Sequence, residues 1–474
     1  PSNIFFGTGI PTIIMVLKQR RDHNDVLIVD ASKNFIKVGK NNKLRASDIK
    51  RITDAIVNRQ TIPNFAQLVS KDTIRNNDYN LNIPRYVDTS DKAETWDIYA
   101  SMFGGIPNSE VDELANEWQA FAQLRASLFT NKTEAYTTLA VSDVNAAVLA
   151  HDDVTQFTAQ FNNAFASFKD FLKTRLIGDV TSVSLQKELD YLADDVFARL
   201  NGIALIDRYE AYQLLDDHWT IISGDIEIIQ TEGWRATKQV DANMVIKKQK
   251  GKDVEVQEGW LGRIMPFDLV QTTYLAEELA ELKAQESRLL EITAELDALL
   301  ESLSEEEKEH DTVNDNKDAF VTAEVTKAVN RIKADQKAGE VYEAESYELK
   351  LLQVADLLAE QKALKASVKA DSIALHLRTK ETIENLSDEQ VNTLLELKWI
   401  SPLVTALHQL PNNVIHRLIT RVQALSEKYA VTYSQLTTEI EQTENALADL
   451  LGELEGNAFD LQGLSEFQSL LKGL

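Results

Sequence analysis

The chain has 474 residues, 44% of them hydrophobic, with no cysteine and a formal net charge of −26. This composition supports packed cores in about two to four domains. It excludes disulfides and thiolate metal sites and fits a reducing cytoplasm, where we expect the protein. No run of about eighteen uninterrupted apolar residues occurs, and the apolar stretch Ile10 to Leu17 follows Pro1 rather than a charged start, so neither a membrane span nor a secretory signal is expected. With no Met at the start and a strand pattern almost at once, the sequence reads as a fragment of a longer protein.

The charge is unevenly spread. Residues 1–90 hold fourteen Lys and Arg against eight Asp and no Glu, a balance of +6, which leaves −32 for the remaining 384 residues. An acidic bulk repels a polyanion, so any approach to DNA should run through these ninety residues. An ordinary solvated basic face is the equally open alternative.

The same ninety residues look strand-rich. Pro11–Leu17 (PTIIMVL) and Val26–Asp30 (VLIVD) are β-branched runs separated by the polar KQRRDHND, which predicts a hairpin at a sheet edge. Ser47 stands as an N-cap before a helical pattern reaching Asn58, and the Pro-interrupted stretch from there to Tyr86 is expected to be irregular. A second region, 91–260, opens helical. After Gly104, Gly105 and Pro107, the residues Val111, Leu114, Trp118, Phe121, Leu124 and Leu128 recur at helical spacing and predict one helix with a buried face. Beyond Asp217, IISGDIEII and NMVIKK alternate in a β-like way, predicting a short β element near 218–256.

The third region, 261–474, is dominated by long amphipathic helices. Leu275, Leu279, Leu282, Leu289, Leu296, Leu300 and Leu303 keep a 3–4 register, interrupted by Glu286 and Thr293. Leu436, Ile440, Thr443, Leu447, Leu450 and Leu454 repeat it. A helix from Pro266 to Leu303 would be about 55 Å long at ~1.5 Å per residue. Two such seams suit antiparallel pairing, with each other or with partner helices. Between them, acidic Ser304–Ala319 lacks apolar periodicity and reads as a linker. The expected fold is mainly α, with long amphipathic, coiled-coil-like helices, a small N-terminal β portion and the short β element.

Phe5, Gly7 and Gly9 satisfy F-x-G-x-G, and Asp30 follows about twenty residues later, the outline of a nucleotide-binding loop. Such a loop needs a helix N-terminus after it. Here Pro11 and a β-branched run follow, so the glycines read as a turn. The seven histidines are scattered, and His408 and His416 lie eight apart across Pro411, not at the four-residue spacing of a helical ligand pair, so no metal is expected. Trp118 and Trp399 read as core anchors.

SNIFFGTGIPTIIMVLK (2–18) and NDYNLNIPRYV (77–87) resemble the last stretch of the catalytic domain in modification subunits of type I restriction systems. GGIPNSEVDELANEW with LRASLF, LGRIMPFDLVQTTYLAEE, and LKWISPLVTAL with RVQALSEKYAVTYSQL follow in the order of that subunit's landmarks. The tail NAFDLQGLSEFQSLLKGL departs from the pattern. The chain is thus similar to the C-terminal portion of a modification (methyltransferase) subunit, its β portion being the remnant of an α/β methyltransferase domain. The resemblance implies that the full subunit methylates adenine N6 in DNA, using S-adenosylmethionine. Its implied partners are a specificity subunit, a second modification subunit and a restriction subunit. The family's Asn/Asp-Pro-Pro-aromatic tetrad is absent, no two of the eight prolines being adjacent. The chain alone is therefore expected to be inactive, to bind no donor and mainly to supply subunit docking.

By the same resemblance, Phe5, Phe6, Gly7, Thr8, Gly9 and Pro11 would border the target-base pocket, and Asn80, Asn82, Arg85 and Tyr86 would help position DNA. Leu282, Leu289, Leu296, Leu303, Leu436, Ile440, Leu447, Leu450 and Leu454 would dock on the specificity subunit's helical spacer. A non-enzymatic helical scaffold is the rival reading. It accounts for the seams and the acidity but not for the first ninety residues.

Overall fold

The computed structural model describes residues 1–5, 9–20, 23–89, 94–249, 252–343 and 346–471. It is mainly helical, with small antiparallel sheets. The chain divides into two compact units, one of Pro1–Thr174, Ser184–Ile222 and Ser401–Leu474, the other of Arg175–Val183 and Ser223–Ile400. Boundaries at 90 and 260 therefore do not mark compact bodies: the helices from Ser401 onward belong with the N-terminal residues. Among the described residues no helix is long and apolar enough to cross a membrane.

In the first unit, Val26–Val29 pairs antiparallel with Ala66–Val69, in the register Val26↔Val69 to Val29↔Ala66. The expected hairpin with Pro11–Leu17 is not formed. Ile13, Ile14, Met15, Val16 and Leu17 are 62% to 87% exposed and join no ladder. β-branched residues make a strand only where a neighbouring edge accepts them, and Ala66–Val69, inside the stretch expected to be irregular, takes that edge instead. The helix Ala46–Asn58 covers this pair, packing Ile52 and Ala55 against Phe65, Ala66, Leu27 and Val29. Its start differs from the expected Ser47 cap. The Asp48 carboxylate accepts the Arg45 backbone N–H at 2.9 Å, so the helix begins at Ala46, and Ser47 is buried in the first turn, donating its N–H to Gln213 Oε1 at 3.0 Å.

The face Val111, Leu114, Trp118, Phe121, Leu124 and Leu128 is buried throughout, but over short helices, Asn108–Val111, Ala115–Ala120 and Leu124–Leu128, rather than one. The chain breaks at Phe121 (φ −115°, ψ 73°). There the Phe121 ring meets Phe157 edge-on at 5.4 Å, and Asp153 accepts the Gln123 N–H at 2.8 Å. Tertiary packing thus overrides helix continuity while preserving the period.

IISGDIEII is helical, within Arg208–Glu232. Ile222, Ile226 and Ile229 are no more than 1% exposed, at the i, i+4, i+7 spacing of a helix face that the β-branched composition obscured. The β element of the second unit begins only at Val240, as a ribbon of Val240–Gln249 with Lys252–Gly262, its register shifted between Ala242 and Met244. Arg263 ties the ribbon's base to Asp241 at 2.8 Å and to Glu232, and the Trp260 N–H donates to His376 Nε2 at 2.9 Å.

The expected rod from Pro266 is interrupted. Pro266 caps Phe267–Tyr274, the backbone turns at Leu275 (φ −127°, ψ 35°), and Ala276–Glu301 then runs 26 residues, about 39 Å at ~1.5 Å per residue. Its seam is satisfied inside the unit. Leu275 and Leu282 pack on Leu375 of the helix Tyr347–Glu384, and Ile292 and Leu296 pack with Leu351, Val354 and the Val325 and Val329 of Thr322–Lys337. Arg288 clamps the same helix pair through Glu360, at 2.8 and 3.0 Å. Ser304–Ala319 is no linker: Val313 packs with Leu300 and Leu303 and bridges to Phe320, making the stretch an ordered corner.

Candidate DNA-facing and docking surfaces

Asn80, Asn82, Arg85 and Tyr86 sit on one short loop. The chain passes through two left-handed residues, Asp78 (φ 55°) and Tyr79 (φ 59°), then closes an Asx turn in which Asn80 Oδ1 accepts the Asn82 N–H at 2.9 Å. Pro84 sits at the second position of the 3₁₀ turn Ile83–Arg85, and the Tyr86 hydroxyl donates to the Asn80 carbonyl at 2.5 Å, so the two ends of the element hold each other. Val87 is buried with Ile28, Val69 and Ile74, with Ile83 and Tyr86 packed alongside. The loop is thus fixed to the Val26–Val29 pair while Asn80, Asn82 and Arg85 stay exposed, a polar, cationic display on a rigid base.

Phe6, Gly7 and Thr8 lie outside the described residues. Phe5 is 52% exposed, and Gly9 and Pro11 are exposed. Residues 2 and 3 are held by the hairpin Ile36–Val38/Asn41–Lys43: Asn42 donates its backbone N–H to the Asn3 carbonyl at 2.9 Å and its amide to the Ser2 carbonyl at 2.8 Å. Asp30 is buried and committed. It accepts the Ser32 N–H at 2.9 Å and the Thr89 hydroxyl at 2.8 Å. Burial pushes its carboxyl up, but these hydrogen bonds outweigh it and hold the group below the ordinary carboxylate value.

The predicted docking leucines separate into two groups. Leu282, Leu296 and Leu303 are buried and Leu289 half-buried within the second unit. Their assignment to a partner surface is corrected, because the helix Tyr347–Glu384 and the 304–319 corner occupy that seam. Leu436, Ile440, Leu447, Leu450 and Leu454 are 43% to 61% exposed. All but Leu454 lie on Tyr433–Gly452, which packs against Ala458–Leu471, the helix formed by the divergent tail. Trp118 and Trp399 are buried; the Trp118 indole donates to the Val111 carbonyl at 2.7 Å.

Residues 1–95 match the sequence profile of the N-6 DNA Methylase family. The chain's relatives are methylase subunits of type I restriction enzymes. One from Mycoplasma pneumoniae is 35% identical over 118 residues, 25% of this chain and 21% of its own. One from Methanocaldococcus jannaschii is 30% identical over 124 residues, 25% of this chain and 20% of its own. The crystal structure of a type I restriction-modification methyltransferase subunit from Streptococcus thermophilus is 49% identical over 19% of each chain, with a TM-score of 0.19. The matched part of this chain spans about a fifth of the length of the curated relatives.

Proposed function

We propose that this chain works within a type I modification subunit, where it contributes a DNA-facing edge and docking helices rather than the methyl-donor site. The complete subunit would transfer a methyl group from S-adenosylmethionine to adenine N6, in company with a specificity subunit, a second modification subunit and a restriction subunit. The match of residues 1–95 to the N-6 DNA Methylase profile carries this reading. In it, Phe5 to Pro11 border the target base, and Asn80, Asn82, Arg85 and Tyr86 position DNA or the rest of the catalytic domain.

The described residues do not fit the donor. Gly9 is followed by the exposed, non-helical Pro11–Leu17 instead of a helix N-terminus, and Asp30 already spends its carboxylate on Ser32 and Thr89. Docking falls to the exposed seam. Leu436, Ile440, Leu447 and Leu450 form an apolar stripe that a specificity subunit's helical spacer would cover, with Thr443 as the polar interruption that selects register.

Co-expression with a specificity subunit tests the reading. A stable complex on size-exclusion chromatography is expected, and it should be lost in the Leu447→Glu/Leu450→Glu variant with unchanged helical circular dichroism. Failure of the parent chain to form that complex refutes the docking role. Calorimetric binding of S-adenosylmethionine by the chain alone would instead point to a self-contained enzyme.

A further inference from the structure

We infer that the hairpin Ile36–Val38/Asn41–Lys43 is a contact for the phosphate backbone of duplex DNA, an inference that rests on the proposed subunit role and deepens it. Residues 31–47 contain Lys33, Lys37, Lys40, Lys43 and Arg45 and no acidic residue, in a chain whose net charge is −26. Arg45 is committed to Asp48 through two hydrogen bonds of 3.0 Å. Lys37, Lys40 and Lys43 are exposed and face no carboxylate among the described residues.

The ribbon of the second unit shows what compensation looks like in this protein. There Lys247 pairs with Glu258 at 2.8 Å, and Lys248 stands opposite Asp253 in the ladder. The first hairpin has no such carboxylate among the described residues, which leaves its three exposed lysine charges open to a counter-charge from outside. Its shape fits one source. Two strands about 4.8 Å apart closed by a tight turn at Gly39 (φ +61°) make a narrow finger, and a two-stranded ribbon is what the ~12 Å major groove of B-DNA admits. Its attachment fits too. Asn42 binds the carbonyls of Ser2 and Asn3, so the finger is tied to the segment leading into Phe5 and Gly9. Lysines on flexible stems placed at a backbone give affinity and register without reading sequence.

The test is fluorescence anisotropy of the full chain with a labelled duplex, titrated from ~50 to ~200 mM salt. Each lysine that neutralises a phosphate contributes about 0.9 to the slope of log K against log salt. The variant Lys37→Gln/Lys40→Gln/Lys43→Gln should lower that slope by about 2.7 and weaken binding equally for unrelated sequences, with an unchanged melting temperature because all three side chains are exposed. Lys247→Gln/Lys248→Gln should leave slope and affinity alone. An unchanged slope in the triple variant, an equal loss in the second-ribbon variant, failure of the parent to bind duplex at the lowest salt, or a preference for heparin or single-stranded RNA over duplex each overturns the inference. Complex formation with a specificity subunit is a separate readout, so loss of the hairpin claim and loss of the subunit reading are told apart.

Discussion

Removing the Asp225 carboxylate should be among the costliest single changes in the second unit. Asp225 Oδ2 accepts from Lys398 Nζ at 2.5 Å and from Trp399 Nε1 at 2.7 Å, and Lys398 Nζ also donates to the Ile264 carbonyl at 2.6 Å. The Lys398 and Asp225 side chains are 16% and 11% exposed, and Trp399 is fully buried. The π-helical turn Glu396–Ile400 carries both donors, a widened turn of the kind that re-aims side chains. Asp225→Ala leaves the ammonium with one carbonyl and the indole N–H with nothing. Breaking a buried pair by deleting one partner costs about 3–5 kcal/mol, and an orphaned buried donor about 1–3. The two costs overlap, so we expect about 3–5 in total, a large share of the ~5–15 kcal/mol that holds a domain together. Lys398→Met should cost nearly as much, because it leaves a buried charge held by the Trp399 N–H alone. The double variant Asp225→Leu/Lys398→Met should be less destabilised than the sum of the two by at least ~2 kcal/mol, since an apolar replacement removes both desolvation costs together. Urea unfolding followed by tryptophan emission reads all of this, Trp399 being an internal reporter. A loss below ~1 kcal/mol for Asp225→Ala, or strict additivity in the cycle, refutes the reasoning.

The two leucine seams should answer differently to mutation. Leu296→Ala should cost about 2–4 kcal/mol as a cavity variant, whereas Leu447→Glu/Leu450→Glu, at positions 43% and 61% exposed, should shift stability by less than ~1 kcal/mol while removing partner binding; a reversed order in thermal melts contradicts the assignment. Gly259 has φ +79°, and a Cβ there would lie 2.6 Å from His376 Nε2. Gly259→Ala should therefore break the Trp260–His376 bond and cost about 1–3 kcal/mol, while Gly224→Ala, with open space around it, should gain about 0.5–1 as a helix-interior control; equal melting temperatures would disprove the clash. For Asp30 the folded carboxyl lies below its ordinary value near 3.8, so its contribution is fully present above that value and disappears as pH falls through the lower folded one. The stability gap between parent and Asp30→Asn should close in acid, and a gap that widens there would show the sign to be wrong.

Periodicity located the buried faces better than it located the elements. The face from Val111 to Leu128 is buried as spaced, yet the backbone breaks at Phe121 because Phe157 and Asp153 offer more there than one further helical turn. IISGDIEII misleads in the opposite way: its isoleucines suggest a strand by composition, while their i, i+4, i+7 positions at Ile222, Ile226 and Ile229 are those of a helix face. PTIIMVL is rich in strand-forming residues yet joins no ladder, and it stays exposed. The basic finger carries its own signal in Val38-Gly39-Lys40-Asn41, a two-residue turn with a glycine placed for positive φ, which a count of charges over ninety residues averages away.

The leucine seams mark the limit most sharply. A 3–4 repeat states that a helix face must be covered; it does not state by what. The seam ending at Leu303 is covered by Tyr347–Glu384, whose Leu351, Val354 and Leu375 pack against it, and the ordered turn at Val313 brings the chain back for that pairing. The helix Tyr433–Gly452 packs against Ala458–Leu471 and Ile98–Phe103, yet the leucines of its seam stay 43% to 61% exposed. Identical patterns thus yield a core in one place and an adhesive stripe in the other, and the distinction lies in the intervening chain rather than in the repeat. Mutations in the covered seam should register in unfolding, and those in the open seam in association, which makes the pair of readouts a measurement of where folding ends and assembly begins.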